Sequence, residues 1–280
     1  VRDEATRTLS GIGLHGGGPC SIEVARTHDD RALVFRTDIG EAGPDELRVR
    51  GARLGVRVDC PRIALDVESV EHLFAALGGL SIRRGLAIRV SGGEVPLADG
   101  CAVRFASLLE SLAPPAHSPS LVVERRGEIV VGDARYLFEP HDATIVDVEV
   151  AFEAPAIGVQ RARWDGTKDA FLRNIAPART FGFRRDAAAL ARAGRARGVD
   201  PSAVMVLDDA GAVEPPSAPA TDSEFARHKL LDLIGDTYLF GGPPRGKTTA
   251  WRPGHAATHR AVTEAMRRGL LVRCPESTLV

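Results

Sequence analysis

A proline-rich break, Ala113-Pro114-Pro115-Ala116-His117-Ser118-Pro119, limits what this chain can fold into more than any other feature. Its composition is that of a linker, and it divides 280 residues into two unequal parts. Each part runs through the same plan. Before the break, alternating apolar residues predict strands at 21–24 and 32–35, a helix at 71–80, a strand at 86–90 and a helix at 103–112. After it, strands at 121–124, 128–131 and 144–152 precede helices at 184–195, 223–240 and 259–270. Strands first and helices after favour α+β over a doubly wound parallel sheet. The expected organisation is two domains, 1–117 and 118–280, with an internal duplication that similarity between the halves is too weak to prove.

Bulk properties exclude several function classes. Thirty-six Lys and Arg balance 37 Asp and Glu, a net charge of −1, which leaves no basic footprint for nucleic acid. No run of about 18 apolar residues predicts a membrane span, and the opening Val1-Arg2-Asp3-Glu4 lacks an apolar signal core. The four cysteines, Cys20, Cys60, Cys101 and Cys274, are far apart and form no C-x-x-C pair. That spacing suits a reducing compartment better than a disulfide framework, and it argues against a cysteine metal site. A cytoplasmic monomer is expected.

Two glycine-rich words resemble phosphate-binding loops. Gly11-Ile12-Gly13-Leu14-His15-Gly16 matches G-x-G-x-x-G, but too little chain precedes it, and a proline and a strand-like run follow. It reads as a turn between strands. Gly241-Gly242-Pro243-Pro244-Arg245-Gly246-Lys247-Thr248 matches G-x-x-x-x-G-K-[ST]. A P-loop follows a strand and opens a helix, so that its amides face phosphate. Here a helix precedes and β-prone Thr248-Thr249-Ala250-Trp251 follows. A P-loop NTPase would lose nucleotide hydrolysis on Lys247→Ala.

The chemistry-bearing stretch is Arg227-His228-Lys229-Leu230-Leu231-Asp232-Leu233-Ile234-Gly235-Asp236. At helical spacing, His228, Asp232 and Asp236 fall in one row. A histidine nitrogen and a carboxylate oxygen four residues apart can reach one cation. Taken alone, such a row is more often the solvated face of an amphipathic helix. Glu71-His72, at the start of another predicted helix, supplies a candidate third ligand and a neighbouring carboxylate.

Several longer words occur in order around these residues. They are Gly13-Leu14-His15-Gly16, Val70-Glu71-His72-Leu73-Phe74-Ala75-Ala76-Leu77, Gly93-Glu94-Val95-Pro96-Leu97-Ala98-Asp99-Gly100, Arg179-Thr180-Phe181-Gly182-Phe183, the His228 stretch, and Gly254-His255-Ala256. Together they closely resemble the zinc-dependent UDP-3-O-acyl-N-acetylglucosamine deacetylase (LpxC) family of lipid A synthesis, over nearly the whole chain. The resemblance implies two related α+β domains, each a sheet layered with helices, with the active site between them. It implies Zn²⁺ bound by His72, His228 and Asp232, with a fourth position open for water as catalytic zinc requires. It implies Glu71 as general base, His255 as the second catalytic group with Asp236 orienting it, Thr180 near the oxyanion, and Lys229 in the substrate site. Phe152 and Arg252 match positions that contact the uridine diphosphate, and Phe181 falls in a substrate-contacting word. The implied substrate is an acylated UDP-sugar.

The chain also departs from that family. A glycine-glycine-serine word in the insert of the second half, about 183–213, which forms a passage for the acyl chain, is replaced by Gly198-Val199-Asp200-Pro201-Ser202-Ala203. Proline fixes φ and removes a donor, so the backbone there must differ. An asparagine-glycine-leucine-arginine word ahead of the zinc helix is replaced by Val213-Glu214-Pro215-Pro216-Ser217-Ala218-Pro219-Ala220, which reads as a mobile loop. The cysteine-threonine word before Glu71 is not evident. The expectation is a working, divergent amide hydrolase whose acyl or sugar specificity differs. The alternative is a non-catalytic homologue that binds a sugar nucleotide or acyl lipid. Retention of Glu71 and His255 argues against it, because a binder needs neither.

Overall fold

The computed structural model describes residues 5–27, 31–52, 54–208, 213–214 and 220–274. In the first half, β1 (Thr6–Ile12), β2 (Pro19–Arg26), β3 (Val34–Arg36) and β4 (Glu41–Ala42) come first. A small antiparallel sheet follows, made of β5 (Arg48–Gly51), β6 (Arg57–Cys60) and β7 (Leu65–Val67). Then come α1 (Glu71–Gly79), β8 (Leu86–Ser91) and α2 (Val103–Glu110).

The second half has β9 (Leu121–Val123), β10 (Gly127–Val131), β11 (Ala134–Glu139), β12 (Thr144–Ala151) and β13 (Val159–Trp164). After a single turn, α3 (Lys168–Ala170), a second three-stranded sheet contains β14 (Phe181–Phe183), β15 (Met205–Leu207) and β16 (Val213–Glu214), with α4 (Ala187–Arg192) between the first two strands. The chain then runs through α5 (Glu224–Tyr238), β17 (Gly246–Trp251), α6 (His255–Arg267) and β18 (Leu271–Arg273), which pairs with β9.

The two five-stranded sheets have the same plan. Their orders are β1-β2-β8-β3-β4 and β10-β11-β17-β12-β13. In each, the first three strands are antiparallel neighbours, the central strand runs parallel to the fourth, and the fifth closes antiparallel. In each, a three-stranded sheet and a helix precede the central strand, and a second helix follows it. This is a mixed α+β fold, and the repeated order matches the duplicated plan expected from the sequence.

Alternation in the strands decides which face is buried. In β12, Val146, Val148 and Val150 point into the core while Asp147 and Glu149 point out. Asp147 and Glu149 pair across the ladder with Arg163 and Arg161 at 3.3 and 2.7 Å, on the cross-strand register. The core lies between the sheets and the helices. α5 is buried along almost its whole length and crosses α1 there. The crossing is close at Gly235, where a Cβ would overlap the Glu71 carbonyl oxygen.

Both phosphate-loop look-alikes are β structure. Residues 11–16 end β1 and turn into β2, with Gly17 N–H bonding the Gly13 carbonyl at 3.0 Å. Gly246 begins the central strand β17 rather than a helix. Two helix boundaries differ from expectation. The helix expected at 184–195 is regular only over Ala187–Arg192 and buries no residue, because its alanine-rich sequence has no apolar face and Gly194 turns the chain at φ +68°. The helix expected at 259–270 starts four residues earlier, at His255, directly after the extended Gly254. The strands β5 to β7 were not anticipated. Of the loop expected at 213–220, residues 215–219 lie outside the described residues.

Candidate metal centre and active site

The polar row on α5 is buried, not solvated. His228, Asp232 and Asp236 are 3%, 4% and 2% exposed. The close crossing at Gly235 brings the start of α1 against this row, and His72 completes the group. Ligand atoms from His72, His228 and Asp232 all lie within 4.8 Å of one another. Both imidazole Nε2 atoms face Asp232 Oδ1, at 3.8 Å from His72 and 3.5 Å from His228. The His228 Nδ1 lies 3.1 Å from the Ala178 carbonyl oxygen, which can only accept, so Nδ1 carries the hydrogen and Nε2 keeps its lone pair.

The electrostatics suit a cation. Burial, with the neighbouring His228, drives His72 down to about 3, and burial also lowers His228, so both rings are neutral. Burial opposes charge on Asp232, but neighbouring cationic groups, Lys229 foremost, outweigh it and hold the carboxyl far below the usual range. Lys229 Nζ takes Asp232 Oδ2 at 2.7 Å, while the buried Oδ1 accepts no hydrogen bond. An orphaned carboxylate oxygen facing two neutral imidazoles fits a divalent cation, for which neutral histidine and ionised carboxylate are the ligand forms.

Further ionisable groups flank the three candidate ligands. Glu71 is 8% exposed and its Oε2 accepts the Val56 N–H at 2.8 Å. Burial pushes its carboxyl above the ordinary range. His255, the first residue of α6, places Nδ1 2.9 Å from Asp236 Oδ1 and Nε2 3.8 Å from Asp232 Oδ2. Burial works against its charge, but the Asp236 and Asp232 carboxylates overcome this and raise it to about 9. The site therefore pairs a carboxylate made more basic with an imidazole held protonated, the split expected of a base and an acid working at one pH.

A cleft of about 290 Å³ contains these groups. Glu71, His72, His228, Lys229, Asp232 and His255 line it, as do Thr180, Phe152 and Phe181. Phe152 and Phe181 meet edge to face with centroids 5.8 Å apart, and Leu14, Leu54 and Leu97 add apolar wall from the first half. Asp236 stands behind His255. Arg252 is not among the lining residues: it is exposed after β17, at φ +50°, with its N–H bonding the Glu149 carbonyl.

Sequence reasoning missed four supports. Glu224 at the start of α5 binds the Arg179 side chain and N–H at 2.9 and 3.1 Å, fixing the residue before Thr180. Gly235 permits the helix crossing. His259, one turn after His255, has Nε2 3.5 Å from Asp236 Oδ1. His15 and Glu94 are buried and bonded beside the cleft. His259 had a sequence signal in its i+4 spacing from His255, and His15, Glu94 and Gly235 lie in the words quoted above, which gave them no role. What each of them supports depends on contacts between distant segments.

Comparison with known proteins agrees with this geometry. The family described as UDP-3-O-acyl N-acetylglycosamine deacetylase (LpxC) matches residues 4–267. Proteins named UDP-3-O-acyl-N-acetylglucosamine deacetylase from Brucella melitensis, Brucella ovis and Brucella suis are each 32% identical to this chain over 262 residues, covering 91% of it and 91% of each relative. By a match that spans almost its whole length, the chain belongs to the LpxC family.

Proposed function

We propose that this protein is a zinc-dependent amide hydrolase that removes acetate from the N-acetylglucosamine unit of a UDP-3-O-acyl sugar, a step in lipid A synthesis. The observation that carries this reading is the convergence of His72, His228 and Asp232 in one cleft with Glu71 and His255. A binding protein has no use for a raised carboxylate and a protonated imidazole flanking the same point.

His72, His228 and Asp232 would hold the zinc, which when bound supplies Lewis acidity to the amide carbonyl and lowers the pKa of water. Glu71, held through Oε2 by the Val56 N–H, takes the proton of the attacking water. His255, kept cationic by Asp236, faces the developing oxyanion and then gives its proton to the leaving amine. The Thr180 hydroxyl adds a donor on the cleft wall, and Lys229, tied to Asp232, presents positive charge to the substrate. Acetate and the free amino sugar leave. Phe152 and Phe181 offer aromatic faces to the nucleotide end of the substrate.

The halves divide in our reading at 117/118, with the segment about 183–213 serving the acyl chain. Its helix α4 buries no residue, and Pro201, with fixed φ and no N–H, stands in the segment that follows; both support a specificity different from that of typical relatives. The four unpaired cysteines support a cytoplasmic setting, and among the described residues no helix is long and apolar enough to cross a membrane.

Metal analysis with a deacetylation assay on the UDP-acylated sugar and other N-acetyl sugars tests this. Stoichiometric zinc, acetate release, and a Glu71→Gln variant that keeps metal but loses turnover are expected. Zinc-independent turnover, or no acetate from any of these substrates, would overturn it.

A further inference from the structure

His15 is buried, bonded at short range, and takes no part in the mechanism above. Its Nε2 lies 2.7 Å from the Leu54 carbonyl oxygen, which can only accept, so Nε2 carries the hydrogen. Its own N–H donates to the buried Glu94 carboxylate at 2.9 Å. That carboxylate also accepts the Gly16 N–H and the Ser69 hydroxyl, each at 2.9 Å. The turn that carries His15 is thus fixed before the ring reaches across to Leu54.

The Leu54 carbonyl leads straight to the proposed base. Gly55 follows at φ +140°, a conformation that L side chains rarely adopt, and a Cβ there would sit 3.1 Å from Glu71 Oε1 and 3.5 Å from His15 Nε2. Val56 comes next. Its N–H donates to Glu71 Oε2 at 2.8 Å, and its carbonyl accepts the Val70 N–H at 3.3 Å, one residue before α1 begins. The second half braces the same turn: the Arg197 and Gly198 N–H groups donate to the His15 and Leu14 carbonyls at 3.3 and 3.0 Å.

We infer that His15 is a positioning residue for Glu71. It anchors the 54–56 segment by the Leu54 carbonyl, and that segment presents the Val56 N–H that orients the Glu71 carboxylate. The inference rests on Glu71 being the base of the proposed hydrolysis. Only a neutral N–H donor is required at His15, and burial, which lowers the ring's pKa, keeps it neutral.

The experiment compares His15→Phe, His15→Gln and Gly55→Ala in the full-length, metal-loaded protein. A glutamine amide reaches the Nε2 position and can donate; phenylalanine fills the space and cannot. In His15→Phe, exchange of the Val56 amide with solvent deuterium accelerates, while amides of Ile22 and Ile88 in the first sheet keep their protection. Its kcat falls about ten- to a hundredfold, as displaced catalytic groups cost, with KM and metal content unchanged. His15→Gln recovers most of both effects. Gly55→Ala reproduces the loss of Val56 protection from the other side of the contact, and it serves if His15→Phe does not fold. Unchanged Val56 protection in His15→Phe or Gly55→Ala, or failure of His15→Gln to recover, overturns the inference. Glu71→Gln with full turnover would overturn the role of Glu71 instead, and the exchange measurement would still decide whether His15 orders Val56.

Discussion

His255 Nδ1 lies 2.9 Å from Asp236 Oδ1, so the first residue of α6 is tied to the buried polar row of α5. Burial would discharge the imidazole, yet this carboxylate, with Asp232 beside it, raises His255 to about 9. The pair makes an acid that stays protonated throughout the neutral range.

If Glu71 is the base and His255 the acid, as proposed, kcat/KM has a bell-shaped dependence on pH. The base must be ionised, so activity falls as pH drops through the raised value of Glu71. The acid must be protonated, so activity falls again as pH rises through about 9. Asp236→Asn keeps the side-chain shape but removes the charge. The alkaline limb should then move to lower pH, and kcat should drop by about a hundredfold. Rate profiles of the two proteins check both, and an alkaline limb that stays in place would exclude His255 as the acid.

The proposed ligand set makes a separate prediction. Asp232 Oδ1 is buried without a hydrogen bond, so a cation there satisfies a group that otherwise costs stability. Adding zinc to the chelator-treated protein should raise its Tm, in proportion to the logarithm of free zinc over Kd. Asp232→Asn should bind little zinc and show no such rise. Calorimetric scans with and without zinc make the comparison.

How much of this was legible in the sequence depends on the range of the interaction. His228, Asp232 and Asp236 share one helix, and their row is visible from spacing alone. Glu71 and His72 adjoin in the chain, and the words around them carried the rest of the site. Burial of the row was not legible, because it depends on α1 crossing α5 at Gly235, and a glycine inside a helix looks the same whether or not another backbone approaches it. The contact of Glu224 with Arg179, beside Thr180, spans 45 residues, and that of His15 with the Glu71 carboxylate runs through Leu54, so no local pattern reports either. The start of α6 was set four residues late, at His259, whereas the helix begins directly after Gly254, at His255, the proposed acid.

Gly235→Ala tests the crossing. Alanine in a helix interior normally gains about 1 kcal/mol over glycine. Here the added Cβ overlaps the Glu71 carbonyl, a backbone atom that cannot swing away. Overpacking costs typically about 1–3 kcal/mol and more when backbone must move. A net loss of stability is expected, with a fall in kcat as Glu71 and His72 shift from Asp232. Urea denaturation and the deacetylation assay measure the two effects, and a stabilised, fully active variant would show that the helices do not meet there.

The ion pair of Arg179 and Glu224 makes stability depend on acid. Glu224 is 2% exposed, and burial alone would raise its carboxyl. Hydrogen bonds from the Arg179 guanidinium, the Thr221 N–H and the Arg179 N–H reverse this and bring it down to about 2. A carboxyl lowered on folding contributes its stabilisation above its unfolded value near 4.5, and loses it as pH falls from there through about 2. Arg179→Ala leaves the buried carboxylate with backbone N–H groups and the Thr221 hydroxyl but no cation, and should cost about 3 kcal/mol at neutral pH. Its Glu224 should titrate closer to the ordinary range, so the variant should shed less of its remaining stability between pH 5 and pH 2 than the parent does. Because the same pair holds the chain beside Thr180, kcat should also fall. Denaturation midpoints followed from pH 7 to pH 2 give the test, and parallel curves for the two proteins would show that the pair does not set the acid response.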